Sequence, residues 1–371
     1  MKQHELLLCF DIPRGKSSFR VKIWRDLNDM GARKRTGSIW SLTFSRANLQ
    51  EFKSIAREIN SKGGRAEVFL ANVIRITTEN RQNVIRITKP INELIKKSIL
   101  ILDKPSGPTS GEVVRKIKEI FKCEKAANTG ILDPRATGVL VVALNDAVKA
   151  MPVFMGLDKE YEGTMYLHKD VDLKTLEEII SRFFIGEIIQ IPPVKSRVAR
   201  KSRRRRVYSF EIIEKDGQNV KFRTRVQAGT YIRKIAYDIG EKLGVGAHLK
   251  DLRRTKVGHF TIEDSHSLEE IKKAYGEGNE ALLKKMLIPI EKAIPHVKRV
   301  YVKDSSIKAI RNGAPVLSPD IVRVQADIEP KETVGIFSLE DELIALGIAK
   351  INSERMLDKK KRSVIRTDRI L

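Results

Sequence analysis

The sequence predicts an α+β protein in three folded parts, and three observations predict it. Residues 1–76 carry the apolar pattern of a β-α-β-β-α-β unit. Residues 99–295 alternate buried or half-buried strands with capped helices. Residues 296–357 are short strands punctuated by glycine and proline, as in a small barrel. At 371 residues the chain is also longer than one core usually holds.

In the first part, Leu6–Phe10 reads as a buried strand ended by Pro13 and Gly15. Phe19, Ile23 and Leu27 follow at helical spacing, stopped by Gly31. Ser38–Phe44 is a second strand containing Trp40. Leu49, Phe52, Ile55, Ala56 and Ile59 mark a second helix, closed by Gly63-Gly64, and Val68–Ile76 supplies one or two further strands. The order is that of a ferredoxin-like domain. It is expected to fold separately, with residues 77–98 as a linker. Phe10-Asp11-Ile12-Pro13, with Gly31 and Ser38-Ile39-Trp40, weakly resembles the CRISPR-associated spacer-acquisition nuclease. Asp11 at the strand end is nevertheless read as a turn residue rather than a metal ligand.

In the second part, Thr109 and Glu112 have capping-box spacing ahead of the apolar face Val113, Val114, Ile117, Ile120 and Phe121. Val139–Leu144 is a continuous apolar run and so a buried strand. Val220, Phe222, Thr224, Val226 and Ala228 alternate with Lys221, Arg223, Arg225 and Gln227, giving a half-buried strand with a basic outer face. Ile232, Ile235, Ala236, Ile239 and Leu243 form a helix ended by Gly244. The third part is broken by Gly313, Pro315, Pro319 and Gly347, and Lys359–Arg362 opens a basic tail, residues 358–371, expected to lack order.

The formal charge of +24 points to a polyanionic partner, nucleic acid first. Anionic membrane is set aside, because the longest apolar runs are strand-sized and no basic amphipathic anchor is present. Cys9 and Cys123 are too far apart in sequence to read as a disulfide or metal framework, and the histidines are scattered. This fits a reducing cytoplasm and no metal.

Three segments carry chemistry. Lys104-Pro105-Ser106-Gly107-Pro108-Thr109-Ser110 is a turn feeding a capped helix. Gly130-Ile131-Leu132-Asp133-Pro134-Arg135-Ala136-Thr137-Gly138 is a glycine-bracketed loop before the buried strand. Gly229-Thr230-Tyr231-Ile232-Arg233 opens a helix. Singly, each is ordinary turn or cap chemistry. Together, and with Lys159-Glu160-Tyr161, Gly246-Ala247-His248-Leu249 and Leu252-Arg253-Arg254-Thr255, they resemble the TruB/dyskerin pseudouridine synthases over residues 99–262. Residues 297–351 resemble the PUA domain of that family through Val302-Lys303-Asp304, Asn312-Gly313-Ala314 and Asp341–Gly347. Gly186–Gln190 before Pro192-Pro193 looks closest to the archaeal H/ACA catalytic subunits.

The resemblance implies a mixed, largely antiparallel sheet with flanking helices and an isomerase that needs neither cofactor nor metal. It implies Asp133 as the catalytic carboxylate, nucleophile or base at the sugar, and Arg233 as its partner. Tyr161 would stack on the flipped uracil, with Tyr231, Leu249 and Lys104 as further substrate-binding residues. The implied partners are tRNA, or guide RNA and rRNA with small H/ACA accessory proteins. The family's usual histidines are replaced by Gly111 and Asn128. In the PUA part, Asp320 and Lys331-Glu332 replace the usual Gly and Gly-Asp. These losses motivate an alternative, an inactive RNA-binding subunit, against which stands the joint presence of Asp133, Tyr161 and Arg233. Lys195, Arg197, Arg200, Lys201 and Arg203–Arg206 form the densest positive run, read as a positioned loop on the RNA backbone.

Overall fold

Alternation and capping place most elements where the sequence pattern puts them. The computed structural model describes residues 4–13, 16–36, 38–72, 91–192, 199, 201–358 and 362–371. The N-terminal part is β1 (His4–Asp11), α1 (Ser17–Asp29), β2 (Arg33–Thr36), β3 (Ile39–Thr43), α2 (Arg46–Ser61) and β4 (Arg65–Asn72). Its antiparallel strand order, β4-β1-β3-β2, is ferredoxin-like. Leu6 and Leu8 on β1 share one core with Ile23 and Leu27 of α1 and with Leu49, Phe52, Ile55, Ala56 and Ile59 of α2. Two strand positions differ from the sequence reading. The Arg-Lys-Arg-Thr segment of β2 has no apolar signal, and becomes a strand by pairing with β3. The last strand starts earlier, at Arg65, and residues 73–76 lie outside the described residues.

The catalytic part comprises α3 (Ile91–Lys96), β5 (Ser98–Lys104), α4 (Ser110–Phe121), β6 (Ala126–Asn128), β7 (Thr137–Leu144), α5 (Met151–Met155), β8 (Lys159–Leu167), α6 (Leu173–Phe183), β9 (Gly186–Gln190), β10 (Arg203–Asp216), β11 (Asn219–Val226), α7 (Ile232–Leu243), β12 (Ala247–Val257), β13 (Phe260–Thr261), α8 (Leu268–Gly276), α9 (Glu280–Met286), β14 (Leu287–Pro289) and α10 (Ile290–Ala293). The sheet order is β14-β5-β7-β12-β8-β11-β10-β9. Its neighbours along that path are antiparallel except β7 and β12, which run parallel. The capping box at α4 forms as its spacing predicts, Thr109 accepting from Glu112 N and the Glu112 carboxylate accepting from Thr109 N at 2.8 Å. Strand β11 alternates as predicted, with Val220, Phe222, Thr224 and Val226 buried.

The C-terminal part is β15 (Lys298–Val302), α11 (Asp304–Arg311), β16 (Val316–Leu317), β17 (Ile321–Gln325), β18 (Thr333–Phe337), β19 (Leu343–Ala349), α12 (Ser353–Met356) and β20 (Ser363–Ile370). Three expectations are corrected here. The basic tail is a strand from Ser363 onward: β20 pairs with both β19 and β16, and Val364 and Ile365 are fully buried. The charges at 359–362 mask an apolar pair that the sheet needs. Gly347 does not break a strand but lies inside β19, where a Cβ would meet Ile365 at 2.5 Å. The N-terminal domain is also not separate. Its edge strand β4 pairs antiparallel with β17, Leu70 opposite Val324 and Phe69 opposite Gln325, and the sheet continues across both parts. An open edge offers unpaired backbone groups, and β17 supplies their partners. Arg323 seals this seam, its guanidinium 3.6 Å from the Tyr301 ring centre and 5.5 Å from that of Phe69. The chain thus divides into two units, Met1–Ile87 with Pro295–Leu371, and Thr88–Ile294.

Candidate active site

The loop between β6 and β7 carries Asp133, and buried groups fix it from several sides. Ser110, the first residue of α4, both donates to Leu132 O and accepts from Leu132 N at 2.9 Å. Gly107 N donates to Pro134 O at 2.9 Å, and Ala136 N closes the turn on Asp133 O at 3.0 Å. Lys104 ends β5 fully buried, its ammonium donating to Pro105 O at 2.8 Å, Pro134 O at 3.0 Å and Ala136 O at 2.8 Å. Burial pulls the Lys104 pKa below its ordinary value, and the Asp133 charge opposes that pull in part.

Arg254 on β12 holds the loop's two ends, Nε donating to Val139 O at 2.8 Å and Nη2 to Gly130 O at 3.1 Å. Gly138 makes this approach possible, because its φ is +100° and a Cβ there would lie 2.2 Å from Arg254 O. Beside Arg254, Lys159 is buried and donates to Met155 O at 2.9 Å and Leu157 O at 2.6 Å. Burial first, then the Arg254 charge, lower its pKa to about 8, with Asp158 opposing.

Arg233 lies in the first turn of α7 and donates to the Asp133 carboxylate, so the pair expected from two distant segments is made. The start of α7 is itself clamped. Gln190 at the end of β9 accepts from Tyr231 N at 3.0 Å and donates to Tyr231 O at 3.2 Å. Tyr161 on β8 is buried in the apolar cluster that includes Leu132 and Ala136 from the loop and Ile232 from α7, with Leu249 packed against it.

The site is more open than a buried carboxylate implies, the Asp133 and Arg233 side chains being 54% and 55% exposed. Lys104 is corrected from a substrate contact to a strut, since its ammonium faces the underside of the loop. The arginine run is corrected from loop to strand: Arg203–Arg206 begin β10 and pair with β9, Arg203 opposite Gln190 and Arg206 opposite Glu187. The preceding positions 193–198 and 200 lie outside the described residues. The basic outer face of β11 is largely neutralised, Arg223 by Glu162 at 2.6 Å and Arg225 by Asp158 at 3.2 Å. Sequence reasoning assigned no role to Ser110, Arg254 or Gln190. All three stand within or beside quoted motifs, but their partners are backbone groups, which leave no pattern in side-chain types.

Family models match in the same order as the parts of the fold. The TruB family pseudouridylate synthase N-terminal domain matches residues 118–232, the tRNA pseudouridylate synthase B C-terminal domain 233–295, and the PUA domain 298–371. The "Probable tRNA pseudouridine synthase B" of Methanopyrus kandleri is 44% identical over 287 residues, covering 76% of this chain and 85% of the relative. The chain belongs to the TruB family of pseudouridine synthases. The namesake protein of Nanoarchaeum equitans is 42% identical over 286 residues, covering 76% of this chain and 82% of its own length. Among solved structures, a Cbf5-Nop10-Gar1 complex matches with a TM-score of 0.71 and 40% identity over 80% of this chain and 92% of that one. An H/ACA particle bound to substrate RNA containing 2'-deoxyuridine matches with a TM-score of 0.70 and 38% identity over 80% and 93%. The family's reaction is the isomerisation of uridine to pseudouridine, so the TruB-type fold, the PUA part and the isomerase activity expected from the motifs all stand. Among the described residues no helix is long and apolar enough to cross a membrane.

Proposed function

We propose that this synthase acts on the T-loop uridine of tRNA, on rRNA sites chosen by an H/ACA guide RNA, or on both, with Asp133 as its catalytic carboxylate. The observation that carries the reading is the Asp133–Arg233 pair on a loop pinned by Lys104, Ser110 and Arg254. A scaffold protein needs no such pair.

The reaction breaks the N1–C1′ bond, turns the uracil and joins C5 to C1′. The proton released from C5 balances the one gained at N1. No electrons are exchanged, so one ionised carboxylate held at the sugar suffices. Arg233 donates to that carboxylate and aims it. Tyr161 offers the aromatic face on which a flipped base stacks, and stacking offsets part of the cost of extracting it. Because Asp133 stands open in the free protein, the RNA itself is what excludes water from it. The relatives named with Nop10, Gar1 and substrate RNA make small accessory proteins and a guide RNA the partners to test. The proposed place of action is the cytoplasm.

Asp133→Asn tests the reading. The substitution keeps shape and turn-forming capacity but removes the charge. Pseudouridine formation in a tRNA transcript, with and without guide RNA and accessory proteins, is expected to fall by several orders of magnitude while RNA affinity changes little. A variant active at the wild-type rate refutes the catalytic role. A wild type silent under every condition supports the inactive-subunit alternative.

A further inference from the structure

The four consecutive arginines that open β10 do not present one surface. Alternation along a strand sends Arg204 and Arg206 to one face and Arg203 and Arg205 to the other. Arg204 is exposed and pairs with Glu187 at 3.2 Å, and Arg206 is exposed as well. Arg205 is half-buried instead. The Nε–Nη2 edge of its guanidinium lies against Gly229, each atom 3.3 Å from where a Cβ at that position would be. Nη1 donates to Arg204 O at 2.8 Å, while Nε is buried with no partner among the described residues. No carboxylate lies within ion-pair distance of Arg205 among those residues, whereas Arg204 next to it and Arg223 and Arg225 on β11 each have one.

A half-buried guanidinium without a counter-charge is an unfavourable arrangement unless an anion completes it. Gly229 opens the Gly-Thr-Tyr-Ile-Arg segment, four residues before the arginine that holds Asp133, so another cation stands nearby on the chain. Gly229 has φ +79°, and any side chain there would displace the guanidinium as well as strain the backbone. The turn and the arginine therefore form one feature: a cation fork laid against bare backbone, beside the segment that aims the catalytic pair. The Nη1–Nη2 end of the guanidinium, where the Nη1 bond is exposed, suits the oxygens of a phosphodiester.

We propose that Arg205 and the Gly229 turn form a phosphodiester subsite that grips the RNA backbone next to the target uridine. Arg205 is then a positioning residue, whereas Arg204 and Arg206 contribute only general affinity. This rests on the pseudouridine synthase reading of the Asp133 site.

The test combines protein and RNA changes in a synthetic T-arm RNA. Each phosphate flanking the target uridine is replaced in turn by a neutral methylphosphonate. Single-turnover rates at saturating RNA are then compared for wild type, Arg205→Gln and the double variant Arg204→Ala, Arg206→Ala. One neutral linkage is expected to slow the wild type on the order of 10–100-fold. Arg205→Gln should be slowed to a similar degree on unmodified RNA and be nearly insensitive to that same linkage, because both changes remove one contact. The double variant should keep the wild-type sensitivity and lose only salt-dependent affinity. Arg205→Lys, which keeps the charge without the fork, should recover part of the sensitivity, and it replaces Arg205→Gln in the cycle if the latter melts early. Equal sensitivity of wild type and both Arg205 variants at every flanking linkage overturns the subsite while leaving the enzyme reading intact. A wild type inactive on unmodified RNA, even with guide RNA and accessory proteins, overturns the enzyme reading and the subsite with it.

Discussion

Replacing Lys104 by methionine separates a strut from a substrate contact. The two side chains are similar in length, so the change chiefly removes the ammonium from a site that is fully buried. Three carbonyls, those of Pro105, Pro134 and Ala136, lose their donor at once. At about 1–1.5 kcal/mol net per bond, the gross loss is about 3–5 kcal/mol. Relief from holding a buried charge, the same cost that lowers the Lys104 pKa, offsets part of this loss. The net destabilisation is therefore about 2–3 kcal/mol, readable by urea unfolding. Pro134 and Ala136 flank Asp133, so the loop shifts when its strut goes. A displacement near 1 Å is expected to lower the single-turnover rate on the order of 100-fold. RNA affinity and its salt slope should stay unchanged, since the ammonium faces away from solvent. A Lys104→Met protein that keeps the wild-type rate refutes the strut argument. One that loses affinity and salt dependence instead restores the substrate-contact role.

Four further outcomes follow from the packing. Gly138→Ala places a Cβ 2.2 Å from Arg254 O at a φ of +100°, and should cost at least about 3 kcal/mol by urea unfolding; Gly111→Ala, whose Cβ meets only Thr109 at 4.0 Å inside α4, should stabilise by about 0.5–1 kcal/mol. Lys159, with a folded-state pKa of about 8 against an ordinary 10.5, binds its proton less tightly in the folded than in the unfolded chain. Raising the pH from about 8 to 10.5 should therefore add up to about 3 kcal/mol of stability from this group, and Lys159→Met should flatten that part of the profile. Deleting residues 1–88 removes β4 and leaves β17 as an open edge, with Arg323 losing Phe69 and Val324 losing Leu70. Aggregation, or faster amide exchange within 298–371, is expected on size exclusion and hydrogen exchange; a monodisperse truncation with unchanged protection refutes the shared-sheet argument.

Residue types and their spacing were enough to identify the chemistry and most of the elements. The capping box at Thr109, the alternation of β11 and the apolar face of α7 are local properties, and each formed where its period placed it. The Asp133–Arg233 pair was legible only because three segments matched a family together, since no single spacing links positions a hundred residues apart. Tertiary structure alone decided the rest. Arg33–Thr36 and Ser363–Ile370 are strands because neighbouring strands offer them hydrogen bonds, and their charges hid this. The N-terminal domain joins the C-terminal sheet through backbone pairing, which carries no side-chain signature. Lys104 and Arg254 turn inward to main-chain carbonyls, and only the folded backbone brings those carbonyls to them. A sequence lists side chains, whereas these choices belong to main-chain donors and acceptors whose partners exist only once the chain has folded.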